Sequence, residues 1–181
     1  MSGSVRPFSD WNSGIIKVIE AENVSIIGEK GSYIDGCDVY NPEGEENYRG
    51  PHAINMYKAT GVYLEGYTII NSANWAHNIY TSSDITIKGV TVLGGHDGFD
   101  VRTCDNVLIE NCVFKSGDDC VAGFDNKNVV VRGCILDTAC SALRFGGTDV
   151  LIENCTVNAP ASYGFRKDLS DGCSWSGILS E

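Results

Sequence analysis

Nothing in the 181 residues is apolar over a run long enough to cross a bilayer, which takes about 20 residues. No charged-then-apolar leader opens the chain. Basic residues are few, 13 against 24 acidic ones, and the net charge of −11 argues against a nucleic-acid partner, for which a basic face is the expected footprint. The same charge disfavours long-range steering of an anionic polymer. Among the eight cysteines there is no Cys-x-x-Cys pair and no Cys/His cluster with zinc spacing, so neither a metal nor another cofactor is expected. Proline is scarce, at four against 21 glycines, which suits a chain with many tight corners. No segment carries the apolar period of a helix.

What the chain does have is a repeat. A polar or glycine residue followed by an apolar alternation begins at Asn23, Gly61, Asp84, Asn106, Asn128 and Asp149, and the last four intervals are 23, 22, 22 and 21 residues. Short period-2 segments at that spacing predict an all-β parallel solenoid of about six to seven coils of roughly 22 residues, each stacked on the last. Residues 22 apart in sequence are then neighbours about 4.8 Å apart. Positions one and three after each start are apolar, as are positions six and eight, and Phe99/Val101, Val121/Gly123 and Leu143/Phe145 supply a third inward side. Cys112, Cys134 and Cys155 fall in one column, where a thiol serves as a compact hydrophobe. A disulfide among Cys37, Cys104, Cys140 and Cys173 stays open.

The first interval is 38 residues long, and its excess is a polar, acidic segment at 35–50 that reads as a surface loop insertion. Loops of that kind often wall a binding groove in solenoids. The chain is expected to be a single β-helix domain over 1–181. With no obvious cap at either end, it reads as a piece, or a shortened version, of a longer solenoid, whose open ends offer a route to self-association.

The densest carboxylate cluster is Asp97 and Asp100 in Gly95-His96-Asp97-Gly98-Phe99-Asp100, with Asp118 and Asp119 in Gly117-Asp118-Asp119-Cys120. Asp97 and Asp119 are 22 apart and so occupy the same place on successive coils. Alternation from Phe99 would point Asp97 inward, so a corner near Gly98 is required. Carboxylates this close raise at least one pKa, leaving a proton donor beside an ionised base, the pair that glycoside hydrolysis uses. The alternative is that these aspartates bond turn amides, as corner residues commonly do. His77 and His52 stand at strand starts, where a histidine is more often a hydrogen-bonded core or groove residue than a catalyst. Trp75 and Tyr80 are placed either to stack on a sugar ring or simply to pack.

These residues resemble the polygalacturonases and related enzymes of glycoside hydrolase family 28. Gly117-Asp118-Asp119-Cys120-Val121-Ala122 is similar to the family's Gly-Asp-Asp-Cys motif, and His96-Asp97-Gly98-Phe99-Asp100 to the aspartate half of its Asn-Thr-Asp motif. Arg49-Gly50-Pro51, Trp75 and the run from Asn106 to Cys112 are similar as well. The resemblance implies a right-handed, single-stranded parallel β-helix, with Asp118 as general acid and Asp97 and Asp119 holding and activating water for inversion. It also implies a substrate carboxylate held by an Arg-Ile-Lys motif. Phe165-Arg166-Lys167 stands at that place, Arg166 matching and Lys167 lying one position early. Arg144, on the same side as Asp100, is a candidate replacement, with an Arg–Asp surface pair as the alternative. Where the family carries a histidine, this chain has Ala139-Cys140-Ser141-Ala142, with Cys140 or Ser141 at the place depending on where the short coil loses its residue.

The expected function is an inverting hydrolase of a pectin-type polysaccharide, working in a secreted or periplasmic setting, with Arg144, Arg166, Lys167, Asp100, His77 and Trp75 as substrate contacts. Its partner is a polysaccharide or oligosaccharide; neither nucleic acid nor a membrane is expected. A β-helical carbohydrate-binding or structural module without turnover is the alternative. A polysaccharide lyase using calcium held by the acidic trio is a third reading.

Overall fold

A computed structural model describes residues 13–39, 41–159 and 178–180. It is an all-β parallel solenoid with no α-helix among these residues. Chain-sequential strands do not pair; each strand pairs with its equivalent one coil away, and every pairing is parallel. Three faces result, one of them a separate six-stranded sheet. About five full turns separate its first strand from its last, slightly fewer than the six to seven coils expected.

The repeated start residue has a backbone reason. Asn23, Gly61, Asp84, Asn106, Asn128 and Asp149 all have positive φ, between 52° and 68°. Asn, Asp and Gly tolerate that left-handed region best, so the column marks a corner in every coil. The corners are tied together on the outside, for Asn106 Nδ2 donates to Asp84 Oδ1 at 2.6 Å. Inside, the strands that follow bury Val62/Leu64, Ile85/Ile87, Val107/Ile109 and Val129/Val131. The second inward column contains Cys112 and Cys134, both buried, with Cys155 half-buried. None of the seven cysteines among the described residues forms a disulfide; Cys173 lies outside them.

The face that carries the candidate site is built from Gly14–Ile19, His52–Tyr57, His77–Tyr80, Phe99–Arg102 and the first parts of Val121–Arg132 and Leu143–Glu153. Its register pairs Ile54 with His77, His77 with Phe99, Phe99 with Val121 and Val121 with Leu143, which makes one inward column. Alternation then fixes two outward rows, Asn55–Asn78–Asp100–Ala122–Arg144 and Tyr57–Tyr80–Arg102–Phe124. Phe99 and Phe114 meet edge to face at 5.3 Å between ring centroids and fill the core beneath the site.

The short coil loses its residue at a bulge. Val121 pairs with Leu143, 22 residues on, whereas Asn126 pairs with Gly147, 21 on, and the register shifts between Gly123 and Asn126. Gly123 sits there with φ of +144°, and a Cβ on it would lie 1.6 Å from the Val101 carbonyl oxygen. Ahead of the bulge the interval is still 22, so Asp118 stands opposite Cys140 and Asp119 opposite Ser141.

Candidate active site

The strand on this face begins at Phe99, so Asp97 lies in the corner before it, as the sequence required. Gly98 makes that corner possible. A Cβ there would meet the Phe114 ring at 2.4 Å and the Cys120 carbonyl oxygen at 2.5 Å. Two carboxylates then form a ladder up the coils: the Asp119 amide donates to Asp97 Oδ1 at 3.1 Å, and the Ser141 amide donates to Asp119 Oδ1 at 3.0 Å. Each side chain is thereby oriented by the backbone of the next coil. Asp97 and Asp119 are both buried.

Asp118 is more open, its side chain 20% exposed. Its backbone oxygen accepts from Thr138 Oγ1 and from Ser116 Oγ. A carboxylate oxygen of Asp118, one of Asp119 and the Cys140 Sγ all lie within 4.8 Å of one another. Two carboxylates and a thiol suit a borderline ion such as zinc better than calcium, which takes six to eight oxygens.

The inserted segment reaches the same site. A short 3-10 turn at Glu45–Asn47 leads into Arg49, whose guanidinium is held by Glu46 at 3.1 and 3.2 Å and approaches Asp118 Oδ2 at 3.8 Å. Tyr48 lies over His96, 5.7 Å between ring centroids. The sequence offered Arg49 only as part of a resemblance. It lies in an irregular loop, where coil counting does not convert offset into position.

Burial and mutual repulsion set the electrostatics. Burial pushes the Asp97 carboxyl well above the ordinary range, with the charges of Asp118, Asp119 and Asp100 adding to it and Arg49 opposing. Asp119 is raised to about 6, by burial first and by Asp118 second, against hydrogen bonds from the Ser141 amide and the Cys140 thiol. Asp100 is also raised by burial, although Arg102 grips it at 2.5 and 2.8 Å. The cluster therefore carries protons at mildly acidic pH that belong to the group rather than to one residue.

Of the predicted contacts, the structure brings Asp97, Asp100, Asp118, Asp119 and Arg144 together. Arg144 acts electrostatically on both Asp100 and Asp119. The closest partner of Asp100 is instead Arg102, two residues along its own strand. His77 is placed in the core. It is fully buried, its Nδ1 donates to the Gly98 carbonyl at 3.1 Å and its Nε2 accepts from the Tyr67 hydroxyl at 2.8 Å. Burial lowers its pKa to about 3, so it stays neutral. The substrate contact expected of His77 is therefore corrected to a hydrogen-bonded core position. Extending the Phe99/Val101 alternation back by 22 residues points His77 inward. Trp75 stacks on the buried His52 at 5.1 Å and carries the Arg102 guanidinium on its ring at 4.6 Å. Arg166 and Lys167 lie outside the described residues. Among those residues, no helix is long and apolar enough to cross a membrane.

Comparison with known proteins bears on the same segment. A polygalacturonase from Saccharomyces cerevisiae is 29% identical over 126 residues, covering 64% of this chain and 35% of its own length. A probable polygalacturonase from Vitis vinifera is 35% identical over 107 residues, covering 49% and 22%. A polygalacturonase from Phaedon cochleariae is 27% identical over 173 residues, covering 86% and 46%. The chain thus spans between about a fifth and a half of the length of these relatives. No solved structure gives a significant match. The model of the glycosyl hydrolases family 28 matches residues 2–159, and the chain belongs to that family.

Proposed function

We propose that this chain carries the catalytic centre of an inverting glycoside hydrolase acting on a pectin-type glycan outside the cytoplasm. Asp97 and Asp119 hold and activate the water, and Asp118 protonates the leaving oxygen. The observation that carries this reading is the ladder. It fixes Asp97 and Asp119 alike, each with one oxygen held by a backbone amide of the next coil, while the more open Asp118 stands beside them. Raised carboxyl pKa values supply the proton that the leaving group requires. Relatives named polygalacturonase support a galacturonan-type backbone as the substrate.

One observation favours a binding module without turnover: Cys140 stands where the family has a histidine, and a thiol is a weaker hydrogen-bond donor. The readings separate in one assay. Reducing-end release from pectic glycans, followed beside ultraviolet absorbance, gives new reducing ends without absorbance for hydrolysis, an absorbing unsaturated product for elimination, and neither for a binding module. Asp118→Asn should lose turnover, by the ~10²–10⁴-fold typical of a removed general acid, while keeping its fold. Full activity in that variant would overturn the assignment of the acid.

A further inference from the structure

Beside the aspartates, on the same face, lies an open cavity of about 430 Å³, within the ~300–1,000 Å³ range of ligand sites. Its walls include Tyr57, Trp75, Asn78, Tyr80, Arg102 and Phe124. Tyr80 and Phe124 are 42% and 43% exposed, large aromatic surface for a described face whose alternate side chains are buried. Tyr57 and Tyr80 lie nearly parallel, 16° between planes and 6.0 Å between centroids, as successive steps of one outward row. Asn55 and Asn78 add a pair of amides, joined by a hydrogen bond of 3.1 Å.

The cation in this lining is already committed. Arg102 is gripped by Asp100 and sandwiched between the rings of Trp75 at 4.6 Å and Phe124 at 5.0 Å. Lys58, over the Tyr57 ring, is bonded to Glu20 at 3.4 Å. Lys17, in register with Asn55 on the first strand, and Arg144, two strands beyond Asp100 on the same row, are outside the lining. A bound sugar carboxylate would therefore have to compete with Asp100 for Arg102, on a chain whose net charge is already −11. Aromatic faces and neutral amides fit the apolar face and hydroxyls of an uncharged sugar instead.

We infer that this groove is a substrate subsite for uncharged sugar rings, either neutral hexosyl or methyl-esterified uronosyl units, and that it does not take ionised uronate. Continuity with the aspartates supports this assignment: Asp100 acts electrostatically on Asp97 and is bonded to Arg102, so the groove wall begins where the acidic cluster ends. The inference rests on the proposed glycan-hydrolase reading for its ligand class, yet its test does not depend on turnover.

The test is calorimetric binding to the Asp118→Asn variant of three oligosaccharides of equal length: an unesterified oligogalacturonide, its fully methyl-esterified form, and a neutral galacto-oligosaccharide. The esterified or the neutral probe should bind at least about tenfold more tightly than the unesterified one, and comparing these two arms identifies which uncharged ring is preferred. Tyr80→Ala and Phe124→Ala, added singly to that variant, should each weaken the preferred probe by about tenfold. Both side chains are well exposed, so the fold should persist, which circular dichroism checks. Equal or tighter binding of the unesterified probe, no binding of any probe, or unchanged affinity in both aromatic variants would overturn the inference. Binding as expected by a protein that releases no reducing ends would sink the hydrolase reading and leave the subsite standing.

Discussion

Asp119→Asn should make the protein more stable at neutral pH while removing its activity. In the folded chain the Asp119 carboxyl titrates near 6, against 3.8 for the free group, because burial and the Asp118 charge disfavour the anion. The folded state therefore binds this proton more tightly than the unfolded state does. Stability from that proton is fully present below pH 3.8, falls as pH rises, and is gone above about 6. A shift of about two units corresponds to about 3 kcal/mol. Asparagine has no charge to desolvate, and its Oδ1 can still accept the Ser141 amide that Asp119 now accepts at 3.0 Å. Urea denaturation of both proteins should show no advantage for the variant near pH 3, about half of the full gain at pH 5, and about 3 kcal/mol above pH 7. Removing the charge also relieves Asp97, whose pKa should fall toward the ordinary range. Equal stability at pH 8, or a gain independent of pH, would refute the burial argument.

Three other substitutions test separate parts of the structure. Tyr67→Phe removes the donor to His77 Nε2 in the core and should cost about 1–3 kcal/mol in urea denaturation; a loss under about 0.5 kcal/mol would mean that this ring nitrogen is satisfied in another way. Gly123→Ala should abolish folding or destabilise by more than about 4 kcal/mol, because its Cβ would overlap the Val101 carbonyl at a positive φ; a soluble variant with normal thermal unfolding would contradict the bulge. Cys140→Ala removes a hydrogen bond that favours ionised Asp119, so the acidic limb of the kcat/KM profile should move to higher pH, and Cys140→Ser should restore it. An unmoved limb would remove Cys140 from the positioning of Asp119.

Coil arithmetic carried most of the fold and the centre of the site, because in a solenoid the sequence offset is itself a spatial coordinate. It aligned Asp97 with Asp119 and set Arg144 on the side of Asp100, as the pairs Phe99–Val121, Asp100–Ala122 and Ala122–Arg144 show. It left Cys140 and Ser141 undecided, since a lost residue can be located only by the bulge geometry at Gly123. Arg102 and Phe124 were legible by the same arithmetic, two places along their strands from Asp100 and Ala122, but single outward residues carry no motif. Arg49 was not legible in this way. Its position depends on the path of an inserted loop and on the Glu46 contact that holds its guanidinium.

The structure also bears on whether these aspartates are corner supports or chemical groups. The supporting duty is visible, since Asp97 and Asp119 each accept an amide from the next coil. A neighbouring corner shows how the structural duty is met without a charge: buried Asn126 accepts the Cys104 amide at 3.0 Å, bonding one coil to another through a neutral oxygen. Asparagine would serve the Asp119 amide bond equally well and spare about 3 kcal/mol of buried anion at neutral pH. A carboxyl where an amide would support the fold better is what the proposed proton transfer requires, and a gain of stability with loss of turnover in Asp119→Asn tests that proposal directly.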